Sequence, residues 1–251
     1  FAVVSFFCPH PPFIARGHHF DRFKYRVPPP RLPQSDNEHP HLKTWREAGK
    51  VSEVSTDAIQ RSREAYYGLV AMIDEFAGRI LDRVQARENT VSVYTSDHGE
   101  ALGERGLWWK STMYDESCKV PLIIRAPDLQ KGLVDPRICS LMDLSRTLLG
   151  WAETDLPNHK GAYLRDNHQW SNQCFASYYG GLINIDLPPV CHRMIRSEIY
   201  KMVSFGDDDL LLFDMTEDPD ELLNLAQSPE HQSVLEDLRN SLHAGWNVDA
   251  I

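Results

Sequence analysis

Cysteine is scarce in this 251-residue chain and follows no pattern: Cys8, Cys118, Cys139, Cys174 and Cys191 are odd in number and include no Cys-x-x-Cys pair. That excludes a disulfide framework or a cysteine-built structural zinc site as the basis of the fold. A reducing, cytoplasmic compartment is the expectation, with a periplasmic or secreted location following instead if a signal peptide lies upstream. No uninterrupted apolar stretch approaches the roughly 18 residues of a membrane span, so no membrane partner is expected. A basic excess is missing too: 26 Lys and Arg against 36 Asp and Glu give a net charge of −10, which argues against nucleic acid as a partner. The opening Phe1-Ala2-Val3-Val4-Ser5-Phe6-Phe7 has neither an initiator Met, a basic flank nor a small-residue cleavage site, and reads as a core strand rather than a signal peptide. Internal repeats and low-complexity segments are absent.

What is present is the composition of a soluble globular protein able to bury a sizeable core. The Pro-rich stretch through Val27-Pro28-Pro29-Pro30-Arg31-Leu32-Pro33 predicts an extended surface excursion. Ser55 or Thr56 can cap a long helix whose apolar positions run from Ile59 through Val84. Thr90–Thr95 and Val120–Arg125 read as strands, and Met142–Leu149 as a further helix. Strand, long helix, strand points to an α/β/α layer around a mostly parallel sheet over residues 1–165. From Cys174 the pattern changes to short strands at Cys174–Tyr179, Arg193–Arg196, Tyr200–Phe205 and Leu210–Asp214, followed by a helix opening at Ser228-Pro229. Residues 166–251 are therefore expected to form a small antiparallel-sheet subdomain with a terminal helix.

The chemistry concentrates in Ser96-Asp97-His98-Gly99-Glu100-Ala101-Leu102-Gly103-Glu104-Arg105-Gly106-Leu107-Trp108-Trp109-Lys110. Adjacent Asp97 and His98 at a strand end can present oxygen and nitrogen to one cation, and Gly99 lets the backbone turn away. Alone, Asp-His-Gly is more often a strand-end turn with a capping Asp. Trp108 and Trp109 either line a cleft or pack the loop, and packing is expected for at least one. Asp207-Asp208-Asp209 reads as a solvated hairpin turn, not a metal cluster.

This stretch, the following Val120-Pro121-Leu122-Ile123, the opening Cys8-Pro9-His10-Pro11-Pro12-Phe13 and the tail Leu212–Leu225 together resemble the sulfatase family of the alkaline-phosphatase superfamily, and the Gly103–Lys110 stretch is similar to choline-sulfatase-like members. The resemblance implies an alkaline-phosphatase-like α/β/α fold and metal-assisted hydrolysis of a small-molecule sulfate monoester. Asp97 and His98 would be metal ligands. His10 and Lys110 would be catalytic and would bind the sulfate. The implied cation is calcium, with magnesium or manganese as alternatives. The family's Cys-x-Pro-x-Arg or Ser-x-Pro-x-Arg motif, whose Cys or Ser becomes the formylglycine nucleophile, does not occur in this chain. The resemblance therefore implies that the chain is the carboxy-terminal portion of such an enzyme, inactive alone, with the amino-terminal half of the same protein as a partner; a homo-oligomer is also admitted. Two other readings stand beside it. One is a phosphonate monoester or phosphodiester hydrolase of the same superfamily, and the other is a catalytically silent scaffold module.

Overall fold

The computed structural model describes residues 1–34, 38–84, 87, 89–165, 170–180, 190–206 and 209–245. They divide into two compact units: residues 1–96, 100–109 and 121–131 form the first, and residues 97–99, 110–120 and 132–251 the second.

The first unit is organised by a long helix. Helix α1 spans Gly17–Phe23, α2 spans Pro40–Ala48 and α3 spans Thr56–Val84. Ser55 caps α3, its hydroxyl accepting the Ala58 N–H at 3.2 Å. Ala65, Leu69 and Ile73 bury one face of α3 at the expected spacing. The same helix also buries charge: Arg63 is 5% exposed. Its guanidinium donates to the carbonyls of Pro28 (2.9 Å) and Leu102 (2.8 Å) and pairs with Glu104 Oε1 at 3.1 Å.

The Pro-rich segment runs over the surface as expected, with Pro28, Pro29, Arg31 and Pro33 exposed, and is anchored by the buried side chains of Val27 and Leu32. A run of prolines has carbonyls to satisfy but few N–H groups, and donors on α3 meet that need: Gln60 Nε2 donates to the Val27 carbonyl at 2.8 Å and Arg63 Nε to that of Pro28. Helices α1 and α2 were not read from the sequence, since both are short and lack a sustained apolar period.

Two expectations for this unit are corrected. Strands β1 (Ser92–Thr95) and β2 (Leu122–Arg125) lie where the β-rich runs placed them, but they pair antiparallel, from Ser92↔Arg125 to Thr95↔Leu122, and not parallel. Apolar periodicity marks a strand without fixing its direction. Phe1–Phe7 forms no strand and is exposed, with Phe6 stacked on Phe76 of α3 at 6.0 Å between ring centroids. A strand exists only by its ladder bonds, and none of the described residues provides a neighbour for this segment.

The second unit matches its sequence pattern more closely. Helix α4 spans Asp115–Cys118 and α5 spans Leu141–Trp151; β3 (Cys174–Gly180), β4 (Val190–Arg196), β5 (Tyr200–Phe205) and β6 (Asp209–Asp214) follow, then α6 (Gln232–Gly245). The strands form one antiparallel sheet in the order β3-β4-β5-β6. Period-two alternation sorts the side chains onto two faces. Met194, Val203, Leu211 and Phe213 join Met113 and Met215 on one, while Ile195, Met202 and Leu212 meet Leu238 and Leu242 of α6 on the other. Of the Asp207-Asp208-Asp209 turn, Asp207 and Asp208 lie outside the described residues. Helix α5 opens with a reciprocal capping box between Ser140 and Asp143.

The polar residues after β6 serve the backbone. Asp214 Oδ1 accepts from the N–H groups of Thr216 and Glu217, Asp218 Oδ2 from those of Leu222 and Leu223, and Asn224 Oδ1 from those of Leu212 and Ala226. Asn224 thereby pairs an edge N–H of β6, while the Leu225 N–H donates to the Leu212 carbonyl at 2.8 Å.

Replacing Arg63 with methionine keeps the bulk of the side chain but strands two carbonyls and the Glu104 carboxylate. Arg63→Met should lower unfolding stability by about 3–5 kcal/mol in urea denaturation, and a loss below about 1 kcal/mol would show that the clamp is dispensable.

Candidate functional site

Asp97, His98 and Gly99 form a turn seated on α4 within the second unit. The Gly99 N–H donates to the Ser117 carbonyl at 2.8 Å. A Cβ at position 99 would lie 2.1 Å from the Glu116 carbonyl oxygen, so only glycine allows this approach. On that base the two side chains converge. Asp97 Oδ1 accepts the His98 backbone N–H at 3.1 Å, which leaves Oδ2 3.6 Å from His98 Nε2. His98 Nδ1 faces the Gly99 carbonyl at 2.8 Å. A carbonyl only accepts, so Nδ1 carries the proton and Nε2 presents its lone pair in the neutral ring.

An oxygen and a nitrogen 3.6 Å apart suit two neighbouring ligands of one divalent cation. Asp97 is exposed and His98 half-buried, so neither ligand atom is sealed away. The residues present fit a cation as two of its ligands, while a hard-cation shell needs six or more.

Residues 100–109, in the first unit, form a loop under marked backbone strain. Leu102, Arg105 and Trp109 take φ of 50°, 56° and 66°, and Ser111 beyond it takes 76°. Left-handed non-glycine residues are uncommon, and such clustering occurs where the surroundings over-determine the conformation. Here the restraints can be named. Glu100 Oε1 accepts the N–H groups of Leu102 (3.2 Å) and Trp109 (2.5 Å), and Ala101 N–H donates to the Trp109 carbonyl at 2.8 Å. Glu104 Oε2 accepts the N–H groups of Arg31 and Leu32 while its Oε1 meets Arg63. Trp108 is buried and packs with Val51 and Leu102, as expected for at least one of the pair, while Trp109 is half-buried. Burial and the neighbouring Glu100 carboxylate push the Tyr66 phenol up to about 12.

The chain leaves this loop at Trp109 and continues as Lys110, which is half-buried and belongs to the second unit together with Asp97 and His98. His10 belongs to the first unit. It sits half-buried in the turn after Phe7, its ring tilted against Phe7 with centroids 4.8 Å apart and Nδ1 3.0 Å from the Pro11 carbonyl. The same tautomer argument leaves His10 Nε2 as the atom for external contact.

Sequence reasoning missed a buried ion network beneath the site. Lys201 on β5 is 0% exposed. Its Nζ lies 2.8 Å from Asp115 Oδ1 and 2.7 Å from Glu221 Oε1, and Glu221 Oε2 accepts the Asp115 N–H at 2.8 Å. Burial alone would lower the lysine, but the two carboxylates outweigh it and hold the ammonium charged. Burial pushes the Glu221 carboxyl up, against the pull of Lys201. For Asp115, burial is overcome by Lys201, aided by Lys119 and Arg196, and the carboxyl sits below its ordinary range. A lysine in a strand of alternating apolar residues was the available signal, but it does not name its partners. Two cysteines are also insulated from chemistry: burial pushes the Cys118 and Cys174 thiols up to about 11, so neither is a thiolate nucleophile at neutral pH.

Comparison with known proteins fits this geometry to a family. Residues 1–154 match the family described as sulfatase, and residues 103–247 match the family described as N-sulphoglucosamine sulphohydrolase, C-terminal. The chain belongs to the sulfatase family. It is 29% identical to choline-sulfatase of Rhizobium meliloti over 99% of this chain and 51% of that protein. It is 31% identical to arylsulfatase K of Rattus norvegicus over 71% of this chain and 34% of that protein. Among solved structures, the phosphonate monoester hydrolase of Silicibacter pomeroyi superposes with a TM-score of 0.82 at 28% identity, over 93% of this chain and 53% of that one. The expected alkaline-phosphatase-like α/β fold with its antiparallel carboxy-terminal sheet is thus the fold of this sulfatase chain, which spans about half the length of these two full-coverage relatives.

Two expectations follow from the seat of the Asp97-His98 turn. Gly99→Ala forces the turn off α4, and should lower stability by about 1–3 kcal/mol in urea denaturation; unchanged stability would show that the close seat on α4 is dispensable. Asp115 has a lowered folded-state pKa, so its stabilisation is full above the ordinary value of 3.8 and is lost as pH falls through the folded value. Asp115→Asn should therefore melt earlier at neutral pH, with the gap to wild type narrowing below about pH 4; a gap independent of pH would exclude the ion pair as its cause.

Proposed function

We propose that the whole protein hydrolyses a small-molecule sulfate monoester with a divalent cation, calcium being the expected one, held in part by Asp97 and His98. The observation that carries this reading is the convergence of Asp97 Oδ2 and His98 Nε2 at 3.6 Å, with the imidazole tautomer fixed by the Gly99 carbonyl, in a chain of the sulfatase family. When bound, the cation supplies Lewis acidity toward an ester oxygen. Asp97 and His98 orient that charge. Lys110 offers a compact ammonium to a sulfate oxygen. His10, with its Nδ1–H engaged by the Pro11 carbonyl, would act through Nε2 as the doubly protonated imidazolium, donating to the sulfate or protonating the leaving oxygen. The nucleophile, formylglycine on this reading, comes from the part of the protein that accounts for the remaining length of the relatives. The exposed apolar side chains of Phe1, Val3, Val4, Phe7 and Ile123 are the surface proposed to be covered by that part.

A phosphonate monoester is the second reading, favoured by the TM-score of 0.82 to the phosphonate monoester hydrolase. An Asp-His ligand pair does not separate sulfur from phosphorus, since both esters present tetrahedral oxyanions. Parallel steady-state rates of the full-length protein on an aryl sulfate and an aryl phosphonate monoester decide between them, and the larger kcat/KM names the reaction.

Within either reading His10 and Lys110 meet charge that develops in the transition state. His10→Ala and Lys110→Ala should each lower kcat/KM of the full-length enzyme by roughly a hundredfold or more, while changing stability by about 0.5 kcal/mol or less in thermal melts. Near-normal turnover in both variants would remove the two residues from the site.

A further inference from the structure

Helix α1 lies close against α3 at a point marked by Gly68. A Cβ there would stand 3.0 Å from Ala15 Cβ and 3.1 Å from the His19 carbonyl oxygen. Two helical turns further along the same face of α3 is Glu75. It meets His19, whose Nε2 lies 3.2 Å from Glu75 Oε2. His18 stacks beside His19 with ring centroids 3.9 Å apart. One ligand atom from each of His18, His19 and Glu75 falls within 4.8 Å of the others.

We propose that His18, His19 and Glu75 form a second metal site, for zinc or a similar borderline divalent ion, which ties α1 to α3 within the first unit. The reasoning starts from His19. His19 is 7% exposed, and its Nε2 faces the Glu75 carboxylate with the exposed His18 ring stacked beside it, so a buried imidazole brings its nitrogen to two further ligand-bearing side chains. Two imidazoles and one carboxylate are a donor set for zinc and other late first-row ions. Zinc–ligand distances of about 2.0–2.1 Å place neighbouring ligands of a tetrahedron about 3.3 Å apart. The His19–Glu75 distance of 3.2 Å already meets that spacing, and exposed His18 completes the set by rotation of its side chain. Three protein ligands leave the fourth position to water. The donor chemistry separates this site from the Asp97–His98 turn, which presents a carboxylate and only one imidazole and belongs to the other unit.

The test is uptake of cobalt(II), followed by its visible absorption, with zinc then competing against a chromogenic chelator. It uses the wild-type protein and the variants His18→Ala, Glu75→Gln and Asp97→Asn. His18 and Glu75 are exposed, so their variants should fold, and melts in the presence of chelator confirm it. Wild type and Asp97→Asn should take up one equivalent with the intense spectrum of a tetrahedral ion. His18→Ala and Glu75→Gln should each bind at least about tenfold more weakly, since even second-layer partners of a metal are typically worth 10–100-fold in affinity. No uptake by wild type, or uptake by both His18→Ala and Glu75→Gln equal to that of wild type, overturns the proposal. Uptake abolished only by Asp97→Asn overturns it as well, by placing the ion on the other turn.

Discussion

One buried ammonium group organises the second unit. Lys201 Nζ leaves a central strand, β5, and reaches Asp115 on α4 and Glu221 in the segment after β6. A charge so deeply buried is tolerable only when carboxylates surround it, so the three elements must close together. Helix α4 is four residues long, too short to be stable by itself. It is fixed because Glu221 takes its first N–H and Lys201 its first carboxylate. The backbone of α4 then provides the surface on which Gly99 rests, and the Asp97-His98 pair follows from that seat. The small antiparallel sheet is thus connected to the chemistry through packing and charge, although none of its residues belongs to the candidate site.

The first unit solves a different problem, the holding of a strained loop. Residues 102, 105 and 109 occupy left-handed backbone without being glycine. Such residues persist only under restraint. Glu100 gathers the loop's own N–H groups, and Arg63 fastens it to α3 while taking up a carbonyl of the Pro-rich segment. Trp108, one of the aromatic pair, fills the space behind it. The result is a preorganised stretch of backbone leading directly into Lys110. Preorganisation of this kind is what an electrostatic contact to a developing charge requires.

Membership of the sulfatase family gives these constraints a common purpose, because its recognisable stretches coincide with them. The tail Leu212–Leu225 looked like a family signature. In the structure its Asp214, Asp218 and Asn224 cap turns and an edge strand, while Glu221 enters the buried network. Asp214, Asp218 and Glu221 thus have structural tasks in that tail. The relatives with which the chain aligns are about twice as long.

The sequence by itself determined the elements with strong periodicity or clear caps: α3 behind Ser55, the helix at Met142–Leu149, the strands from Cys174 to Asp214, and the terminal helix after Pro229. It also determined the Asp97-His98-Gly99 turn, because an Asp-His-Gly run at a strand end is written in neighbouring residues. Tertiary structure alone decided the antiparallel pairing of β1 with β2, the exposure of Phe1–Phe7, the burial of Val27 and Leu32, and the partners of Arg63 and Lys201. The physical reason is common to all of them. Periodicity and capping are written in neighbouring residues, whereas strand direction and the neutralisation of a buried charge depend on groups far apart in the chain: Lys201 and Asp115 are 86 positions apart, and Arg63 and Glu104 are 41.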